Sequence, residues 1–436
     1  MFHSDDAQHE NDGVVQQQRE DTGVAGQGEK AASARPPKAK SRRPRSSTEM
    51  EQTVRRAVSV QFIDEVLGKE PPKLFVGGDL KREDTASFAR ALKQSVKLEQ
   101  ALAARPERYR LLTGDRPTGR LHIGHYFGSL QNRVRLSRMG VETFVVIADY
   151  QVLTDREAFA EIGENTAQLV IDYIAAGLDP ARNTVIFPHS YIPELNQLML
   201  PFLTLVSSAE LNRNPTVKEE ISAAGLKSVN AGMYTYPVHQ ACDILFCKGN
   251  AVPVGKDQLP HLEVARTIAC RFNEKFSPDA PVFPEPQALL SAAPHIMGLD
   301  GGQKMSKSRN NAVALSATED ETAALIKKAK TDSERVITFE PERRPEVANL
   351  LTLASLCTGD APEALAARIG DGGSGRLKAL LADALNEKLR PLRAERKRLE
   401  GERGYIRQVL LDGVDTARKV AAETLAEVRR VMHMEI

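Results

Sequence analysis

Two histidines and two lysines offer this chain's most legible chemistry. His122 and His125 stand three residues apart in "PTGRLHIGHYFGSL" (117–130), among glycines and ahead of a helix-forming pattern. Residues at i and i+3 share a helix face, so a metal would need further ligands, and no neighbouring Glu or His completes such a set. A phosphate site asks instead for close backbone approach and for N–H groups at a helix start, which Gly119 and Gly124 supply. Imidazoles beside a phosphate donate hydrogen bonds to charge that develops during reaction. A plain structural turn is the remaining reading. Far downstream, "GLDGGQKMSKSRNN" (298–311) sets Lys304, Ser306, Lys307 and Ser308 behind Gly298, Gly301 and Gly302. Those are two cations and two hydroxyls on a glycine-loosened loop. Taken alone, the segment reads as a flexible basic surface loop.

The apolar pattern gives the elements that must position these groups. "YRLLTG" (109–114), "TFVVIAD" (143–149) and "NTVIFPHS" (183–190) are runs of strand length. Helical patterns follow from about Gly124, across 157–176 and near 194–206. This alternation predicts βαβ units, an α/β fold class and a parallel sheet. Ligands of such sheets sit at the carboxyl ends of the strands, so residues 114–126 are the expected nucleotide or phosphate site. After about residue 315 the alternation stops. "RLKALLADALNEKLRPLRAERKRLE" (376–400) spaces Leu377, Leu380, Leu381, Ala384, Leu385, Leu389 and Leu392 helically, and Pro391 is expected to kink or break that helix. Lys388, Arg390, Arg393, Arg396, Lys397 and Arg398 cluster here, with Glu387 and Glu395 as close acidic neighbours. A solvated basic face and an RNA contact are both open.

Composition narrows the class. The 436 residues carry 59 basic and 58 acidic side chains, a formal net charge of +1, so a polyanion partner would need a local patch. Cys242, Cys247, Cys270 and Cys357 show neither a CxxC pair nor zinc-ligand spacing, as expected of reduced thiols. No apolar run is long enough to span a membrane, and the start lacks a signal-peptide plan, so a soluble, cytoplasmic protein is expected. Residues 1–50 read as a disordered polar tail, with six basic residues and no acid in "RPPKAKSRRPR" (35–45). Residues 51–104 read as a partly helical extension to which no chemistry attaches. The chain contains no tryptophan.

Together, "HIGH" (122–125) and "KMSKS" (304–308) resemble the signature pair of class I aminoacyl-tRNA synthetases. The block at 231–273, with "AGLDP" (176–180), "ELNR" (210–213) and "AKTDSE" (329–334), is similar to tryptophanyl-tRNA synthetases. This resemblance runs from about 108 to 360 and more loosely to the C-terminus. It implies a Rossmann-like parallel-sheet nucleotide-binding domain over 105–314 and a C-terminal α-helical, tRNA anticodon-binding domain over 315–436. It also implies ATP and L-tryptophan as substrates, Mg²⁺, tRNA(Trp) as partner and a homodimer. His122, His125, Lys304 and Lys307 then match catalytic positions. Arg116, Pro117, Thr118, Gly124, His125, Gly255, Lys256, Asp257 and Ile296 match ATP contacts, as do Lys304, Met305, Ser306, Lys307 and Ser308. Asp243 matches the carboxylate that accepts the indole N–H, which suits a donor-only ring. Tyr236 and Gln258 match positions that hold the amino and carboxylate ends, and Gln240 and Gln151 match pocket positions.

Four positions depart from that pattern. His125 stands where close relatives often carry Asn, Gln151 where a His is common, Gln240 where Met is frequent, and Lys256 where Glu is frequent. The expected pocket floor is more polar than usual. A tyrosine-charging enzyme is the nearest alternative, because Tyr236, Gln240 and Asp243 in "YPVHQACD" (236–243) also resemble that sister family. A non-charging paralogue that binds tRNA or a protein is another, and residues 1–105 leave room for an additional partner. A tRNA-independent nucleotidyl transferase would leave the helical C-terminal region unexplained. The missing tryptophan suggests an auxiliary or inhibitor-tolerant form that can be made when charged tRNA is scarce.

Overall fold

In the computed structural model, the described residues are 82–153, 160–218, 230–255, 258–290, 296–302, 305 and 309–436. The three apolar runs form β1 (Arg110–Asp115), β2 (Glu142–Ile147) and β3 (Thr184–Pro188), joined by β4 (Ala251–Val254) and β5 (Gln287–Leu290). All pairings are parallel, in the order β3-β2-β1-β4-β5. The chain builds outward from β1 through β2 to β3, then returns to lay β4 and β5 on the other side. That reversal puts a topological switch point between β1 and β4, where sheets of this kind open a crevice for ligand.

Helices cover both faces, which is why the strands read as continuous apolar runs. In chain order they are α1 (Arg82–Ala104), α2 (residues 123–139), α3 (Ile162–Ala176), α4 (Ala231–Leu245) and α5 (Leu259–Phe276). Then come α6 (Glu319–Lys328), α7 (Pro345–Thr358), α8 (Pro362–Ile369), α9 (Gly373–Glu400) and α10 (Arg403–Val431). Along β2, Val145 and Ile147 pack into one layer with residues of α2, α3, α7 and α9, while Phe144 and Val146 pack into the other with α4, α5 and α10. The helical pattern near 194–206 is divided into two short helices, Pro193–Asn196 and Met199–Leu203.

Both sheet edges are covered, which denies them to a second chain. On the β5 side, Leu98 and Leu102 of α1 pack with Leu111, Ala251 and Leu289, and Ser95 Oγ accepts the Leu290 N–H at 2.8 Å. Part of the extension without assigned chemistry is thus part of the fold. On the β3 side α10 lies so close that a Cβ on Gly413 would fall 1.9 Å from the Ile186 carbonyl oxygen.

The break expected at Pro391 does not occur: α9 runs on through it. A mid-helix proline costs about 3 kcal/mol or more. Here it is exposed, so water can serve the carbonyl it releases. Leu377, Leu381, Leu385, Leu389, Leu392 and Leu399 are all buried along the same helix. At about 1.5–3 kcal/mol for each fully buried aliphatic side chain, the stripe outweighs the proline.

Candidate active site

β1 delivers the chain to the first turn. Thr118 donates its N–H to the Arg116 carbonyl at 2.8 Å, and Gly119 takes φ +119°, a conformation open to glycine. His122 then caps α2. The Gly124 N–H donates to His122 Nδ1 at 3.1 Å, and the His122 N–H donates to His125 Nδ1 at 3.2 Å. A donor facing each Nδ1 leaves the ring proton on Nε2, so both imidazoles are hydrogen-bond donors through their outer nitrogen. Their ring centroids are 3.8 Å apart. A Cβ on Gly124 would lie 3.0 Å from the His122 ring, so a larger residue there would press on the imidazole. A π-helical turn over Tyr126–Leu130 follows; such turns are frequent at functional sites.

The second motif is brought to the first. The His122 segment bridges Ala314 in antiparallel sense, Ile123 donates to the Val313 carbonyl at 2.9 Å, and Leu315 to that of Leu121 at 2.9 Å. Met305 is buried in the same cluster as Leu121, Ile123, Ile296 and Val313. At the loop base, Asp300 Oδ1 accepts from Gly302 N–H and Asn311 Nδ2, each at 3.0 Å. "AKTDSE" braces it: the Lys330 N–H bonds the Leu299 carbonyl at 2.7 Å, and Asp332 pairs with both Nε and Nη2 of buried Arg344. Lys304, Ser306, Lys307 and Ser308 lie outside the described residues, as do Lys256 and Asp257.

The remaining positions fall along the same edge. Arg116, buried Pro117 and Thr118 follow β1, Gln151 follows β2, and exposed Gly255 and half-buried Gln258 follow β4. Tyr236, Gln240 and Asp243 share a face of α4 at i, i+4 and i+7. The Tyr236 hydroxyl is 2.9 Å from His261 Nε2 on α5, and Asp243 is 2% exposed.

Sequence reading missed three groups here. His189, at the carboxyl end of β3 and wholly buried, places Nδ1 3.0 Å from Asp243 Oδ1. Burial opposes charging this imidazole, but Asp243 foremost and then Asp149 outweigh it and lift it above its ordinary value. Asp115 at the end of β1 receives Arg133 Nη1 at 2.6 Å and the Tyr173 hydroxyl at 2.7 Å. Burial would raise the Asp115 carboxyl, yet the Arg133 charge, with His125 and Tyr173 assisting, holds it below its usual range. Third, Arg396 fits neither reading of the basic cluster: it is 2% exposed and paired with buried Asp172. Asp172 Oδ2 also accepts the Leu121 N–H at 3.1 Å. The clue available in sequence was His189 ending the third apolar run; the other two partnerships are non-local. Arg390 and Arg398, by contrast, pair with Glu387 and Glu395 at 2.7 Å each, as on a solvated ion-paired face.

The cysteines are all free thiols, and burial pushes the Cys247 and Cys357 thiols up to about 12. Among the described residues no helix is long and apolar enough to cross a membrane.

A parallel sheet with a glycine-bearing, histidine-capped turn at its switch point, locked to a second loop, defines a nucleotide-binding α/β enzyme scaffold. The chain belongs to the tRNA synthetases class I (W and Y), whose family model matches residues 105–390. It is 39% identical over 333 residues to a tryptophan–tRNA ligase of Clostridium longisporum, covering 74% of this chain and 97% of that protein. A tryptophanyl-tRNA synthetase structure from Campylobacter jejuni, complexed with ADP and tryptophan, superposes with a TM-score of 0.65 at 28% identity, covering 74% of this chain and 99% of that one. A tyrosyl-tRNA synthetase from Archaeoglobus fulgidus, at 23% identity and a TM-score of 0.54 over 68% of this chain and 94% of that one, shares the fold.

Proposed function

We propose that this chain is a tryptophan–tRNA ligase, which activates L-tryptophan with ATP and transfers it to tRNA(Trp). The observation that carries this reading is the pairing of the first signature segment with residues 313–315, just past the second one, with Met305 of the second buried in the same cluster as Leu121 and Ile123. Kinship with tryptophan–tRNA ligases supports tryptophan over tyrosine.

The reaction is two displacements. The tryptophan carboxylate attacks the ATP α-phosphorus, the bond to the β-phosphate oxygen breaks, and pyrophosphate leaves. The 2′-hydroxyl of the terminal tRNA adenosine then attacks the adenylate carbonyl, releasing AMP. No protein nucleophile takes part, so the chain contributes position and electrostatics. His122 and His125 offer their Nε2–H groups to the phosphates, and Lys304 and Lys307 offset charge on the departing pyrophosphate. Arg116, Pro117, Thr118 and Gly124 border the nucleotide, with Gly255, Lys256, Asp257, Ile296, Met305, Ser306 and Ser308. Asp243 accepts the indole N–H, Tyr236 and Gln258 hold the ends of the amino acid, and Gln151 and Gln240 line the pocket.

Magnesium enters with the triphosphate, as part of the substrate, where it neutralises phosphate charge. The carboxylate nearest the first turn, Asp115, is committed to Arg133 and Tyr173. Among the described residues no carboxylate set at that turn fits a resident magnesium, and no step is assigned to one. A cytoplasmic homodimer, an anticodon-binding role for residues 315–436 and a further partner for residues 1–105 belong to the same reading. So does an auxiliary, inhibitor-tolerant role for a tryptophan-free enzyme. ATP–pyrophosphate exchange dependent on tryptophan, and not on tyrosine, is the expected result for full-length and truncated chains. Exchange driven equally by tyrosine, or by neither amino acid, overturns it.

A further inference from the structure

His189 has no part in the mechanism above, yet it is wholly buried and hydrogen-bonded through both ring nitrogens. Resting on the reading of Asp243 as the indole acceptor, we propose that His189 is a positioning residue for that carboxylate. It holds one oxygen of Asp243 and leaves the other to the substrate.

The ring is fixed on every side. Nδ1 lies 3.0 Å from Asp243 Oδ1, and the Tyr150 backbone N–H donates to Nε2 at 3.0 Å. A donor at Nε2 puts the neutral ring's proton on Nδ1, and a charged ring carries one there as well. In either state an N–H faces Asp243. Asp149 Oδ1 is 3.3 Å from Nε2 and accepts the Ser190 and Tyr150 backbone N–H groups, while Asp149 Oδ2 accepts the Ser190 hydroxyl. His239 packs edge-on at 4.7 Å, with its own Nε2 2.8 Å from Asn196 Oδ1, and the Tyr150 ring lies at 5.5 Å. With no exposed surface, His189 cannot turn to water instead.

The consequence falls on Asp243. A carboxylate with one occupied oxygen cannot rotate freely, and among the described residues no donor is bonded to its Oδ2. An indole offers a single N–H, so one fixed acceptor is the matching arrangement. Releasing Oδ1 would leave a buried acceptor unsatisfied and the carboxylate free to turn from the substrate.

The test uses the full chain with His189→Leu, His189→Gln, His189→Asn and Asp243→Ala, measuring pyrophosphate exchange against tryptophan and ATP separately. Asn can place an N–H where Nδ1 stood; Gln and Leu cannot. Leu and Gln are expected to raise KM for tryptophan about ten- to hundredfold, the weight of a hydrogen bond to a charged group. KM for ATP should stay unchanged, and Asn should recover most of the tryptophan affinity. A wild-type KM for tryptophan in His189→Leu, beside a crippled Asp243→Ala, overturns the positioning role alone. Normal tryptophan use by Asp243→Ala overturns the indole-acceptor reading beneath it. Equal rises for tryptophan and ATP in all three His189 variants would mark a packing role and overturn the proposal. His189, His239 and Asp243 also offer ligand atoms within 4.8 Å of one another. Stoichiometric Zn²⁺ binding that His189→Asn abolishes would make the cluster a metal site, and likewise overturn it.

Discussion

Replacing Arg396 by Met should destabilise this protein far more than removing an exposed ion pair on α9, and a second change should repair stability without repairing activity. Arg396 is 2% exposed and Asp172 is fully buried. The guanidinium binds Asp172 Oδ1 and Gln168 Oε1, and reaches Glu400 at 3.2 Å. Removing one partner of a buried pair leaves an uncompensated charge, a loss of about 3–5 kcal/mol. Arg396→Met with Asp172→Leu removes both charges, and apolar replacement of a buried pair is often neutral or better. Most of the loss should therefore return. The double variant cannot, however, replace the acceptor that Asp172 Oδ2 gives the Leu121 N–H at 3.1 Å. An orphaned buried N–H costs about 1–3 kcal/mol, and this one immediately precedes His122. Urea unfolding should show a large loss in the single variant and a small one in the double. Pyrophosphate exchange in the refolded-stable double variant should show a raised KM for ATP. A single-variant cost below about 1 kcal/mol, typical of an exposed pair, would refute the buried-charge argument. Wild-type ATP kinetics in the double variant would refute the link from α9 to the signature turn.

Three other predictions follow from separate features. Lys307→Ala should slow adenylate formation by about 10²–10³, as loss of one charge-stabilising donor does, with tryptophan binding nearly intact; equal losses in both would sink the leaving-group assignment. Gly413→Ala sets helix propensity, about 1 kcal/mol in favour of Ala, against a Cβ only 1.9 Å from the Ile186 carbonyl oxygen. Overpacking costs about 1–3 kcal/mol, so net destabilisation is expected in urea, and a stabilised variant would show that α10 does not press on β3. For Asp115, burial raises the carboxyl, but Arg133, His125 and Tyr173 together lower it further, leaving it below 3.8. The stability it contributes is complete above 3.8 and lost as pH falls below that value. Asp115→Asn should flatten this acid limb while lowering stability at neutral pH; an unchanged acid limb would show that the pair does not titrate there.

What the sequence determined by itself is local. The first turn was legible because its parts lie within a few residues: an apolar strand, a glycine at φ +119°, and two histidines whose spacing lets each accept a backbone N–H. The α/β class was legible because strand and helix periods are short-range properties of the chain. The family was legible because both signature segments are intact. Tertiary structure alone decided how distant parts meet. Pairing of Leu121 and Ile123 with Val313 and Leu315 depends on the return of the chain after β5. The His189–Asp243 and Asp172–Arg396 bonds join residues whose separation carries no periodic signal. Pro391 shows the same division: its own chemistry argues for a break, and burial of a leucine stripe against other helices overrules it. Short-range stereochemistry is written in neighbouring residues, whereas burial and ion pairing depend on which surfaces the sheet order brings together.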